Sequence, residues 1–180
     1  MAKINPLLSI TLPLYALDQA TKWWIFTHFA LVPSAQNIRL FSDVVRRTEN
    51  LPESKDIVPD FFQIVHWANT GAAFSVGTEK NIFFVVLSVV TLVVLAILER
   101  RGAFRDAASS IGAGLLVAGI LGNLTDRLVH HYVIDFLLFD LHIPFANPWP
   151  AFNVADSCIC VAVGIFLVRS LFEKKTESAS

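Results

Sequence analysis

Asp18 and Lys22 lie four residues apart near the end of one apolar run, and Asn123, Asp126 and Arg127 close another. Asp135 follows in a connecting segment, Asn153 and Asp156 open a further apolar run, and Asn69 lies in an earlier connection. Burying charge at the edge of lipid is costly, so such groups are functional candidates by default. A serine nucleophile with a lysine base would draw on Ser75 and Lys80, which nothing else marks and which suit a turn and a span end. Metal-assisted hydrolysis would draw on His130, His131 and Asp135. There is no HExxH pattern, however, and adjacent histidines on a helix point about 100° apart. Two carboxylates that share a proton and activate water need only two aspartates on facing elements. Asp156 with either Asp126 or Asp135 meets that need. The structural alternative makes Asp18–Lys22 and Asp126–Arg127 ion pairs that merely tie helices together. The convergence of carboxylates and asparagines on one face favours an aspartic hydrolase.

The elements that carry these residues follow from composition. Hydrophobic residues make up 54% of the 180 and charged residues 16%, against about 25% charge in soluble domains. Lipid is therefore the solvent such a chain requires. A net charge of −1 leaves no basic surplus to neutralise phosphates, which excludes nucleic acid as a partner. A bilayer core takes about 20 apolar residues per helix. Segments 4–26, 81–98, 107–125 and 154–172 meet that length, the first despite Asp18 and Lys22. The first is not a removable signal peptide, because no small-residue cleavage site follows it. Cys158 and Cys160, two apart in an apolar run, read as buried, inert thiols.

The expected architecture is an all-α integral membrane protein, a single domain over 1–180 with four transmembrane helices. Outer connections at 27–80 and 127–153 add a small extracytoplasmic β-element and interfacial loops. Residues 31–60 read as an irregular surface loop. Residues 61–76, aromatic and β-branched, read as a short sheet or hairpin. Residues 136–152, interrupted by Pro144, Pro148 and Pro150, cannot be helical and read as lying along the interface. Basic residues near the span ends tie at seven on each side. The tie breaks because Arg39, Arg46, Arg47 and Lys55 sit inside a long loop, while the 99–106 turn is densely basic. That places both termini and the turn in the cytoplasm.

Five segments occur in an order that carries a resemblance: DQATK at 18–22, NTGAAF at 69–74, GNLTDR at 122–127, VIDF at 133–136 and FNVAD at 152–156. They resemble the sequence boxes of lipoprotein signal peptidase, the bacterial type II signal peptidase, and the match covers nearly the whole chain. The resemblance implies an inner-membrane aspartic endopeptidase acting on diacylglyceryl-modified prolipoproteins, with membrane lipid around it. Cleavage falls on the amino side of the lipidated cysteine. It also implies sensitivity to globomycin-type inhibitors and no metal or other cofactor. Residue by residue, Asp135 and Asp156 take the catalytic pair, and Asn69, Asn123, Arg127 and Asn153 match positions lining the substrate cleft. Asp18 and Lys22 match the polar pair that supports it.

Asp126 is read as supporting rather than catalytic. Ser110, Gly114, Ala118, Gly122 and Asp126 recur every four residues as a small-residue stripe suited to helix packing. Asp126 also sits beside Arg127, whose charge suits an ionised structural carboxylate. If the third helix ran on to Asp135, nine residues at about 100° each would leave the two aspartates half a turn out of phase. A rival from another class is a small transporter subunit with a carboxylate proton path. It would place polar groups at several depths, whereas spans 81–98 and 107–121 are apolar.

Overall fold

Apolar runs that cross a bilayer fold as helices because a helix satisfies every backbone group within its own segment. The computed structural model describes residues 6–32, 50–71, 81–143 and 148–177, with the side chains of the last helix described to Phe172. Ser75 and Lys80, and Lys3, Arg39, Arg46 and Arg47 of the charge count, lie outside the described residues. The helices are α1 (Pro6–His28), α2 (Asn81–Arg100), α3 (Ala107–Val129) and α4 (Val154–Glu177). Among the described residues three segments are long and apolar enough to cross a membrane: α2, α3 and the Val154–Phe172 part of α4. α1 has the length, 23 residues, and carries Asp18 and Lys22 in its second half. On α2 only Leu95 is buried, the pattern of a helix whose apolar surface meets lipid nearly all round.

The chain forms two compact units, divided at Leu17/Asp18, Val85/Val86, Asn123/Leu124 and Asn153/Val154. In the first, the small residues of α3 let backbones come close. A Cβ on Gly114 would lie 3.0 Å from Ile10 Cβ and 3.1 Å from the Leu7 carbonyl, and Thr11 Oγ1 donates to the Gly114 carbonyl at 3.0 Å. A Cβ on Gly119 would run into the Ala155 carbonyl oxygen and lie 2.7 Å from Ile159 Cγ1. The expected stripe is real, for Ser110, Gly114, Ala118 and Gly122 are all buried. Cys158 is buried but Cys160 is exposed, which corrects the reading of both thiols as buried. Two residues on a helix are about 200° apart, so the pair cannot share a face.

The second unit holds a four-stranded antiparallel sheet in the order β1 (Ser54–Val58), β2 (Phe62–Asn69), β3 (Val133–Phe139), β4 (Trp149–Phe152). The sheet expected in 61–76 is present as β2, whose hairpin partner is β1 upstream of that segment, turning at Asp60 with a left-handed φ of 55°. Two expectations are corrected here. Segment 31–60 is not irregular throughout, because Ser54–Val58 is a strand; all five residues are exposed, so no in–out alternation marks it. Segment 136–152 is not merely interfacial loop, because Phe136–Phe139 complete β3 and Trp149–Phe152 form β4. Pro150 is tolerated there because β4 is an edge strand, where a missing N–H breaks no ladder on its open side. α3 stops at Val129, and His131, with a φ of 65°, turns the chain into β3. Asp135 therefore lies on a strand, not on a continued helix.

A buried aromatic cluster ties this sheet to the end of α1. His66 is fully buried on β2, with Nδ1 3.2 Å from the Phe29 carbonyl and Nε2 3.4 Å from the Tyr132 hydroxyl. A carbonyl only accepts, so Nδ1 carries the proton, and in the neutral ring Nε2 accepts from the Tyr132 hydroxyl. Burial pushes the His66 pKa down to about 4, against smaller opposing pulls from the Phe29 carbonyl and Asp126. Phe26 contacts His66 at 5.8 Å and His130 at 4.9 Å between ring centroids, and burial lowers the His130 pKa too. The unfolded chain binds a proton at His66 near pH 6.5, the folded chain only near 4. The full stability thus holds above about 6.5 and is lost as pH falls toward about 4, by about 3 kcal/mol for this group. Thermal unfolding in detergent between pH 7 and 4 is expected to show that loss, and His66→Gln is expected to flatten it.

Candidate active site

In the second unit the carboxylates fall into two chemical classes. The first is charge-paired. Asp18 and Lys22, four apart on α1, project from one face, and Lys22 Nζ lies 2.9 Å from both Asp18 Oδ2 and Asp126 Oδ2. All three side chains are at most 2% exposed. Gln19 Nε2 donates to Asp18 Oδ2 at 3.1 Å and to Asp126 Oδ1 at 3.3 Å. The Ile134 N–H donates to Asp126 Oδ2 at 3.0 Å. Lys22 of α1 is thus a cation on Asp126, a partner that the sequence reading did not assign to it.

The second class is held by neutral amides. Asp135 sits on the inner strand β3, 2% exposed. In the β2–β3 register Asn69 faces Val133, which places Asp135 on its diagonal, within reach on the same face. Asn69 Nδ2 donates to Asp135 Oδ2 at 2.8 Å, while Asn69 Oδ1 accepts the Gly71 N–H at 3.1 Å. On the other side Phe152 pairs with Leu137, leaving Asn153 just past the end of β4. Its Nδ2 donates to Asp135 Oδ1 at 2.8 Å and to the Ile134 carbonyl at 3.3 Å. Each oxygen of Asp135 is therefore gripped by an asparagine from a different neighbouring strand.

The first unit repeats the pattern. Asp156 lies in the first turn of α4, where the helix dipole favours a carboxylate. Asn123 Nδ2 donates to Asp156 Oδ1 at 2.7 Å, with Asn123 buried. Arg127 makes two further contacts in the second unit. Its guanidinium carbon lies 5.0 Å over the Phe84 ring, and its carbonyl accepts from Asn81 Nδ2 at 3.2 Å.

All the candidate residues read from sequence thus fall into four groups: Asp135 with Asn69 and Asn153, Asp156 with Asn123, Lys22 with Asp18 and Asp126, and Arg127 with Phe84. Sequence reasoning missed Gln19 and the His66–Tyr132 pair. Gln19 had a signal, since it stands between Asp18 and Lys22 in DQATK. His66 had none, being a lone histidine in an apolar strand. The weighed ligand set of His130, His131 and Asp135 does not assemble: among the described residues no three His, Cys, Asp or Glu side chains group as an ion site.

Known proteins carry the same plan. The lipoprotein signal peptidase of Neisseria meningitidis serogroup C / serotype 2a is 32% identical over 175 residues, spanning 93% of this chain and 90% of that protein. That of Photorhabdus laumondii is 38% identical over 127 residues, spanning 67% and 72%. A bacterial membrane enzyme solved by the in meso method at 2.3 Å resolution shares the fold with a TM-score of 0.76 at 24% identity, over 96% of this chain and 92% of its own. A second, solved at 1.9 Å, gives 0.69 at 25% identity, over 93% and 94%. Residues 10–172 match the signal peptidase (SPase) II family, and the chain belongs to that family.

Proposed function

We propose that this chain is an aspartic endopeptidase that removes the signal peptide from diacylglyceryl-modified prolipoproteins, cutting on the amino side of the lipidated cysteine. The observation that carries the reading is the separation of carboxylates into two classes. Asp18 and Asp126 are neutralised by Lys22, whereas Asp135 and Asp156 accept hydrogen bonds from asparagine amides. A general acid–base pair needs carboxylates whose proton can come and go. A carboxylate locked to an ammonium is poorly suited to that, and one held in place by uncharged donors is well suited.

In this mechanism the ionised member of the Asp135/Asp156 pair takes a proton from the attacking water. The protonated member supports the developing oxyanion and then gives its proton to the leaving amine. Like charges at close range keep one proton on such a pair. Asn69, Asn123 and Asn153 orient the carboxylates and offer amide groups to an extended substrate backbone. Arg127 lines the substrate path, and Asp18, Lys22 and Asp126 hold the scaffold. The inhibitor class expected to fit is the globomycin type, a lipopeptide-like competitor for the same cleft.

In the same reading α1 is a fourth span, both termini and the 99–106 turn are cytoplasmic, and the sheet lies at the outer face of the inner membrane. The acyl chains of the substrate then stay in lipid while the peptide is registered at the depth of the aspartates. The basic turn at Arg100, Arg101 and Arg105 supports this orientation. Single cysteines in the 99–106 turn, in a background lacking Cys158 and Cys160, are expected to resist an impermeant thiol reagent in intact cells. Cysteines at 50–55 are expected to react. The reverse pattern would sink the orientation.

Asp135→Asn and Asp156→Asn are each expected to lower cleavage of a lipidated precursor by at least about a hundredfold without loss of folded protein. Asp126→Asn is expected to reduce protein yield but leave turnover per folded molecule. Lys22→Met, which strands two buried carboxylates, is expected to cost about 3–5 kcal/mol and show mainly as failed folding. Full activity in Asp135→Asn would overturn the assignment. A comparison of lipidated and unlipidated precursor then tests the substrate class, with the lipidated form expected to be cleaved far faster. Equal rates would refute the role given to the lipid.

A further inference from the structure

Arg169 stands where two concavities of the first unit meet. The larger is an open groove of about 710 Å³ walled by Ala108, Val161, Gly164, Ile165, Val168 and Phe172. Apart from Arg169 it is wholly apolar. Its base is bare at Gly164, where a Cβ would meet no atom within 4 Å. The smaller, about 260 Å³, brings Ser109 and Ser170 to the same arginine, beside Phe104 and Phe166. Val161, Val168 and Phe172 are exposed on a helix apolar enough to cross a membrane, so the surface they offer is suited to acyl chains and not to water.

The charge at this end matches an anion. The turn between α2 and α3 carries Arg100, Arg101 and Arg105 against Glu99 and Asp106, and Arg169 adds a further cation. Arg169 Nη1 lies 2.7 Å from Asp106 Oδ2, which engages one edge of the guanidinium. The guanidinium is a fork of five N–H donors, broad enough to hold a carboxylate on one edge and a phosphate oxygen on another. A basic fork between an apolar groove and a small polar pocket has the layout of an amphiphile: tail on one side, headgroup on the other.

We propose that this groove and pocket bind one anionic phospholipid, with an acyl chain along Val161, Gly164, Ile165 and Val168 and the phosphodiester at Arg169. The groove and pocket share no lining residue with those assigned to cleavage, and the proposal is independent of that chemistry. The bound lipid bridges the start of α3 and the end of α4.

Native mass spectrometry of the purified full chain tests this, with phosphatidylglycerol and phosphatidylcholine of matched chains offered in equal amounts. Glycerol 3-phosphate serves as the probe without a tail. One phosphatidylglycerol per chain is expected to be retained in preference to phosphatidylcholine. Arg169→Gln is expected to lower retention about tenfold or more, the loss that follows deletion of charge-assisted hydrogen bonds. A Cβ at Gly164 would meet no atom within 4 Å, so Gly164→Leu puts a side chain into open groove space and replaces a poor helix former. It is expected to lower retention as much while leaving the melting temperature unchanged or higher, so it decides the matter should Arg169→Gln fail to fold. Equal retention of the two lipids, or retention unaffected by Gly164→Leu, would reduce the site to ordinary annular lipid and overturn the proposal. Displacement of phosphatidylglycerol by equimolar glycerol 3-phosphate would show a simple anion site and overturn it as well.

Discussion

A lysine ammonium shut away from water has to be neutralised on the spot, and around Lys22 that requirement organises the second unit. Two carboxylates share the one cation, and removing the lysine would strand both of them away from water. Asp126 has oxygen lone pairs beyond those the lysine uses, and the Ile134 N–H fills one of them. An electrostatic necessity on α1 and α3 thus becomes a backbone constraint on β3. The residue after Ile134 is Asp135, so the charge cluster fixes the height at which that aspartate emerges from its strand. The ions take no chemical step, and they still determine where one begins.

The sheet then works as a clamp. Asp135 lies on an inner strand between β2 and β4, and each neighbouring strand ends in an asparagine that reaches one of its oxygens. An amide is the appropriate partner. It gives a directional hydrogen bond, and it neither adds a charge nor traps the carboxylate in its ionised form, as an arginine fork would. Asn153 also spends its amide on the Ile134 carbonyl, so Ile134 is held at both its N–H and its C=O. With the flanking residue pinned on both sides, the aspartate has little freedom to drift.

Much of this plan is legible in the residues themselves. The i,i+4 spacing of Asp18 and Lys22 needs no structure to read, nor does the every-fourth small residue on α3, nor the aromatic and β-branched run that becomes β2. What escapes depends on partners distant in sequence. β1 is a strand only because β2 offers it hydrogen bonds; its own residues carry no alternation. Trp149–Phe152, with Pro150 inside it and Pro148 just before it, looks unfit for a sheet until it is known to be an edge. The pairing of Asp126 with Lys22 joins residues far apart in the chain, and adjacency gives no hint of it. His66 and Tyr132 are separated by 66 positions, and nothing local links them.

Gly119 and Asn123 lie four residues apart on α3, on one face, over the first turn of α4. Ala155 presses its carbonyl against the bare Cα of Gly119, and the next residue, Asp156, receives the amide of Asn123 at 2.7 Å. The short reach of an asparagine suffices only because the glycine lets the helices meet backbone to backbone. The size of one side chain and the length of the other are therefore a single dimension set twice. A lineage that enlarged position 119 would widen the gap that position 123 has to span. Drift at these two sites is coupled through distance alone, though one of them carries no functional group.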